Sequence, residues 1–288
     1  MLENNQPRQT LLSRVLLTVF FATAGSLLIV VFSPWNPLIQ NNVWDYLGRL
    51  GAMLFFGILY LMARRIASLT RYSSVVFGLL VLAVVVTLDW VFGLFLIQHI
   101  GLRAGSPAQA ALAKLNEVFI VAAVIVLFTH CSGAGLGSIY MHKGRLKQGL
   151  LIGGACFLVF MIAGIPLATS LFQGKDLSIT RALPWLPWLL ICVFSNSGLE
   201  ELMFRGLFLR KLEPFLGKLF SNILIAVVFT LIHYAASYTT DQMMFMLILF
   251  PLAILLGYLA QKTDALWASI LLHAGMDIPV FLAIFSNL

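Results

Sequence analysis

The chain has 288 residues, of which 61% are apolar and only 10% charged, with a formal charge of +7. Soluble domains are about half apolar and a quarter charged, so this composition excludes a water-soluble enzyme or binding module. The basic balance does not mark a nucleic-acid binder either, because Lys and Arg fall in small groups between apolar runs rather than along one polar face.

Several apolar runs reach the roughly 20 residues that an α-helix needs to cross a hydrocarbon core of about 30 Å. Hydropathy and helix breakers predict nine spans, near residues 11–33, 47–63, 74–98, 117–139, 148–171, 184–212, 219–238, 243–261 and 265–285. The expected fold is therefore all-α, a polytopic transmembrane bundle of eight to nine spans surrounded by membrane lipids. The first run follows Arg8 and Arg14 and continues past Ala22-Thr23-Ala24 into Leu27-Leu28-Ile29-Val30-Val31. That is too long for a cleaved signal segment and reads as a retained span.

Prolines punctuate the pattern. Pro34, Pro37, Pro107, Pro184, Pro187 and Pro214 fall near predicted span ends, whereas Pro251 and Pro279 fall inside spans and predict kinks. Gly133, Gly135 and Gly137 predict a small-residue face for close helix packing. Cys131, Cys156 and Cys192 stand singly in apolar segments and read as buried packing residues, with no spacing for a disulfide framework or a zinc site.

With a cytoplasmic N-terminus, the inner segments hold Arg8, Arg14, Arg64, Arg65, Arg71, Lys143, Arg145, Lys147, Arg205, Arg210, Lys211, Lys218 and Lys262, 13 of the 18 basic residues. Arg49, Arg103, Lys114, Lys175 and Arg181 fall outside. This asymmetry predicts an N-in, C-out protein of the cell membrane.

A charge at the bilayer centre costs on the order of 3 kcal/mol even on lenient insertion scales, so each needs a partner or a wet site. Here such residues cluster in the last spans: Ser195-Asn196-Ser197-Gly198-Leu199-Glu200-Glu201-Leu202-Met203-Phe204-Arg205, then Phe229 to His233, then His273 to Asp277. At about 1.5 Å per residue, Glu200 lies roughly 18 Å from Leu212, His233 about 21 Å from Leu219, and His273 and Asp277 about 15 and 21 Å from Thr263. All four fit one layer. Glu201 and Arg205 are i and i+4, suited to a buried ion pair. Glu200 is rotated about 100° from Glu201 and needs a different partner, for which His233 is the natural candidate. His273 and Asp277, like Phe229 and His233, share a helix face. Polar pairs of this kind also orient helices, but three of them converging at one depth point to a site.

Three motifs, E-E-x-x-x-R at Glu200, Glu201 and Arg205, F-x-x-x-H at Phe229 and His233, and H-x-x-x-N/D at His273 and Asp277, together resemble the type II CAAX prenyl endopeptidase family. This is also called the CAAX protease and bacteriocin-processing family of intramembrane peptidases. The resemblance covers about residues 185–285. It implies a catalytic helical core over 181–288 behind N-terminal transmembrane helices over 1–180, and a peptide or protein substrate. It also implies roles: Glu200 as general base, His233 orienting the attacking water, and His273 with residue 277 stabilising the oxyanion. A carboxylate in a poorly solvated cavity is a stronger base, which suits the first role. Asp277 stands where the best-studied members of that family carry Asn; an ionised carboxylate repels an oxyanion, so Asp277 is either held neutral or orients His273.

Asp89 and His130 are a further polar pair, structural or part of a substrate route, and Glu117 sits near a predicted span boundary. His99 and His142 read as surface residues. The leading expectation is a metal-independent intramembrane endopeptidase without cofactors. A zinc peptidase is the nearest enzyme alternative, since two histidines and a glutamate can hold zinc, although H-E-x-x-H is absent. A non-catalytic transporter, immunity or scaffold protein is the alternative from another class.

Overall fold

The structure, a computed structural model, describes residues 10–32, 38–235 and 238–288; Arg8, Pro34 and Pro37 lie outside the described residues. The described chain is helical, with one isolated bridge between Phe172 and Thr239 as its extended pairing. The helices are α1 (Leu11–Val31), α2 (Asn42–Arg65), α3 (Ser73–Phe92), α4 (Phe95–Ile100), α5 (Pro107–Cys131), α6 (Leu146–Ser170), α7 (Ile179–Ala182), α8 (Leu186–Glu201), α9 (Arg210–Ile232), α10 (Gln242–Thr263) and α11 (Trp267–Ser286). Short polar residues start them where the apolar runs begin: Thr10, Asn41, Ser106, Ser178 and Asp241 each accept a backbone N–H of the first turn.

Among the described residues, eight helical runs are long and apolar enough to cross a membrane. The multi-pass all-α bundle is as expected, but the sixth and seventh predicted spans form one run, Ile179–Ile232. Gly217, at φ 77 and ψ 168, divides it. Phe229, twelve residues after Gly217, packs edge-on against Phe204 at 5.1 Å and under the Arg205 guanidinium at 4.6 Å. The two arms therefore fold back on each other as a hairpin. The break expected near Pro214 falls three residues later, at Gly217, with Pro214 inside α9. A proline removes one hydrogen bond, whereas a left-handed residue turns the chain out of the helix, and glycine adopts that conformation freely.

The fourth span begins ten residues before its expected start, at Pro107. Glu117 is thus inside a helix, where it pairs with Lys114 at 2.7 Å. An i, i+3 partner lets both charges be buried, which a hydropathy window reads as loop. The same span ends at Cys131, so Gly133, Gly135 and Gly137 lie beyond it. Gly133 and Gly135 have open space around them and form a turn rather than a packing face. Cys131 is exposed, unlike Cys192.

Close packing by small residues occurs instead between α6 and α11. A Cβ on Gly153 would meet Leu271 Cβ at 2.8 Å and the Ala268 carbonyl at 2.9 Å. Without a hydrophobic drive between helices in lipid, such backbone approach is what gains dispersion energy. The early helices also pack on the hairpin: Phe21 of α1 contacts the Phe208 ring at 4.9 Å, and Gly78 of α3 faces the same ring.

Segments 132–145, 210–218 and 261–266 meet at one end of the bundle. Tyr140 donates to Glu213 at 2.8 Å, Gln261 donates to the same carboxylate oxygen at 2.8 Å, and Arg210 pairs with Asp264 at 3.0 Å. Burial, then the hydrogen bond to Glu213, pushes the Tyr140 phenol above its ordinary pKa. At the opposite end, loops around 171–175 and 238–240 are tied together: Gln173 N–H donates to Tyr238 and Thr240 N–H to Leu171.

Candidate active site

The two carboxylates open a local change in the helix. Glu200 and Glu201 end α8, and Leu202–Leu209 continues with π-helical bonding before α9. Such wide turns are uncommon and concentrate at functional sites. Arg205 lies within this turn. Its Nη1 donates to Glu201 Oε1 at 2.7 Å and its Nη2 to the Ala253 carbonyl of α10 at 2.9 Å. Both side chains of the pair are fully buried. The guanidinium also faces the Phe229 ring, so charge, two hydrogen bonds and a π-face offset much of its lost water, while the buried Nε has no partner.

Glu201 makes a second short contact. His273 Nδ1 lies 2.8 Å from the same Oε1 that receives Arg205. An ionised carboxylate can only accept, so Nδ1 carries the hydrogen and Nε2 faces away, toward Glu200. Glu200 Oε2 stands 3.7 Å from His273 Nε2 and 3.8 Å from His233 Nε2. Both separations exceed a hydrogen bond, and this buried oxygen has no hydrogen-bond partner. His233 ends α9 and is fixed at its other nitrogen, where Nδ1 meets the Phe229 carbonyl at 2.7 Å. A carbonyl only accepts, so Nδ1 again carries the hydrogen, and Nε2 faces Glu200. Gln242 donates to the His233 carbonyl at 3.0 Å, tying the end of α9 to the start of α10.

Asn196 is a member that sequence reasoning missed. Its Nδ2 donates to Glu200 Oε1 at 3.2 Å and to Asp277 Oδ2 at 3.0 Å, using both amide hydrogens. It thereby bridges two carboxylates. Its position four residues before Glu200, one turn away on the same face, was the available signal. Asp277 Oδ1 is 3.7 Å from His273 Nε2. The short bond to His273 comes from Glu201, and that of Asp277 from Asn196. The structure thus brings Glu200, Glu201, Arg205, Phe229, His233, His273 and Asp277 together in one layer across α8 to α11.

Other polar residues stand apart from this layer. Asp89 lies within electrostatic reach of Glu117, Lys114 and Arg49, rather than His130, which is exposed at the far end of α5. Arg49, buried in α2, pairs with Asp45 at 2.9 Å and donates to the carbonyls of Val86 and Phe32. His99 is exposed, and His142 is 3.4 Å from Asp264 near the surface.

A cavity of about 90 Å³ adjoins the layer. His233, His273 and Asp277 form its polar end, and apolar side chains of α6 and α10, among them Phe160, Leu167, Phe245 and Ile248, form its walls. Phe172 and Thr239, the bridged pair, also line it. Among the described residues, no group of three or more His, Cys, Asp or Glu side chains is arranged to hold a metal ion.

The carboxylate between two oriented imidazoles, set inside a membrane bundle beside an apolar cavity, defines an intramembrane glutamate–histidine site. A family model, Type II CAAX prenyl endopeptidase Rce1-like, matches residues 182–279, which include all three motifs. The likeness read from the motifs is thus a likeness to this family over that third of the chain. No curated protein and no solved structure matches the chain.

Proposed function

We propose that this protein is an intramembrane endopeptidase in which Glu200 activates water against a peptide carbonyl. The observation that carries the reading is Glu200 Oε2, buried, without a hydrogen-bond partner and facing Nε2 of both His233 and His273. Glu200 accepts a proton from water as the water oxygen bonds to the carbonyl carbon. The acceptor Nε2 of His233 holds the second hydrogen of that water. Charge develops on the carbonyl oxygen, and the protonated His273 ring, held by Glu201, donates to it from Nε2. Collapse breaks the C–N bond, and the proton held by Glu200 passes to the leaving amine. Asp277 acts through Asn196, fixing the amide that holds Glu200 in place.

The apolar walls of the cavity favour an apolar segment around the scissile bond, reaching the site from the membrane. The chemistry requires no metal in this reading. The orientation is N-in, with the end formed by residues 171–175 and 238–240 outside the cytoplasm, opposite the basic end. That placement favours maturation of an exported or membrane-inserted peptide. The decisive experiment compares peptides released from membranes carrying wild type or Glu200→Gln. A precursor that accumulates only with the variant supports the reading, and an unchanged peptide profile together with wild-type turnover of a model peptide overturns it.

A further inference from the structure

The basic end of the bundle carries a second concavity, unconnected with the glutamate–histidine layer. It is a groove of about 740 Å³ whose rim holds Arg145, Lys218 and Lys262. The three cations come from separate elements: the residue before α6, the residue after the Gly217 turn, and the last turn of α10. Backbone and side-chain bonds fasten these elements at the rim. Arg145 N–H donates to the Thr263 carbonyl at 2.7 Å, and Gln261 donates to the Lys218 carbonyl at 2.9 Å. Three like charges are therefore held near one another by a fixed frame rather than carried on a loose loop.

Among the described residues, no carboxylate lines the groove. Two acids at this end of the bundle have partners of their own, Glu213 in Tyr140 and Gln261, and Asp264 in Arg210. Below the cations the exposed wall is mainly apolar, with Leu219 64% and Leu255 39% exposed and Ile254 beside them, while the polar Asn222 in the same wall is buried and donates to the Ile254 carbonyl. In a bilayer those surfaces face acyl chains. Cations at the level of the headgroups above an apolar channel between two spans are the complement of an anionic amphiphile.

We infer that this groove binds an anionic phospholipid, its phosphate headgroup between Arg145, Lys218 and Lys262 and its acyl chains along Leu219, Ile254 and Leu255. Free phosphate would leave the apolar wall unused, and a zwitterionic headgroup would bring its own cation toward the three on the rim. The site lies on the outer side of α10, the helix whose Ala253 carbonyl receives Arg205. A seated lipid therefore braces the helix that completes the buried ion pair.

Native mass spectrometry of the full chain in detergent tests this independently of any peptidase activity. The probes are phosphatidylglycerol, phosphatidylcholine and inorganic phosphate. The triple variant Arg145→Gln/Lys218→Gln/Lys262→Gln is compared with Arg64→Gln/Arg65→Gln/Lys143→Gln, which removes the same charge from elsewhere on that end. Near a membrane surface each cation is worth about 1 kcal/mol, so the groove variant is expected to lose phosphatidylglycerol affinity on the order of a hundredfold while the control keeps it. Equal loss in both variants, wild-type binding of phosphatidylcholine as tight as that of phosphatidylglycerol, or displacement of the lipid by millimolar phosphate would overturn the proposal. If the triple variant melts below wild type in lipid-free detergent, Lys262→Gln alone is read, with an expected loss of about fivefold and the same overturning outcomes.

Discussion

His273 and Arg205 meet the same oxygen: Nδ1 of the one and Nη1 of the other lie 2.8 and 2.7 Å from Glu201 Oε1. Glu201 is therefore the hub that couples the buried ion pair to the imidazole facing Glu200, and the two adjacent glutamates have different work.

That division separates two substitutions at neighbouring positions. Glu200→Gln keeps the shape and the Asn196 contact, so the protein is expected to melt within a degree or two of wild type while turnover falls by a factor of about 10² to 10⁴, as for loss of a general base. Thermal unfolding and hydrolysis of a model peptide, measured on the same detergent preparation, check both halves. Wild-type turnover would remove Glu200 from the chemistry.

Glu201→Gln leaves Arg205 as a buried cation without its counter-ion. Breaking a buried pair in this way costs about 3–5 kcal/mol. Here the melting temperature is expected to drop markedly, and activity with it, because His273 then meets a neutral amide in place of the carboxylate charge. The double variant Glu201→Gln/Arg205→Met should recover much of the stability but not the activity. Full recovery of both would show that Glu201 has no role beyond packing.

Asp277→Asn is expected to stay within about tenfold of wild type. The amide oxygen still accepts from Asn196, and the new N–H group can donate to a developing oxyanion. Asp277→Ala strands one Asn196 hydrogen, a loss of about 1–3 kcal/mol in an unsatisfied buried donor, or roughly 5- to 150-fold in rate if it is felt at Glu200. Steady-state kinetics of the two variants decide the matter. A loss in Asp277→Asn as large as in Asp277→Ala would mean that the carboxylate itself takes part.

Metal chelation separates the proposed mechanism from the zinc alternative. Prolonged treatment with 1,10-phenanthroline is expected to leave turnover unchanged. Loss of activity that returns on adding zinc would reassign His233, His273 and Glu200 as ligands.

The membrane orientation is open to cysteine labelling. In a background with Cys131, Cys156 and Cys192 replaced, Thr239→Cys is expected to react with a membrane-impermeant maleimide on intact cells, and Lys143→Cys only after permeabilisation. The reverse pattern would place the cavity end in the cytoplasm and direct the search for substrates there.

Much of the site was legible in the sequence because charges inside apolar runs are conspicuous and helix spacing assigns their faces. Glu201 with Arg205 followed from i, i+4 alone, and the shared layer followed from counting residues at constant rise. Asn196 was legible only through its spacing to Glu200: a neutral amide hardly disturbs hydropathy, and its second acceptor lies on another helix, 81 residues away. The start of α5 was hidden for the opposite reason, since Lys114 and Glu117 lower the hydropathy of a segment where they neutralise each other. The break at Gly217 was masked by Pro214, the more conspicuous residue three places earlier.

The hairpin around Gly217 also works as a ruler. Its two arms set Phe229 against Arg205 by equal counts of residues, so the distance between the glutamates and His233 is written into arm length rather than into any contact between them. One residue added to either arm would swing the side chains beyond it through about 100° and move them about 1.5 Å along the axis. The arms can therefore accept exchanges of apolar residues far more readily than a single insertion or deletion, which would separate Glu200 from His233 without altering any residue of the three motifs.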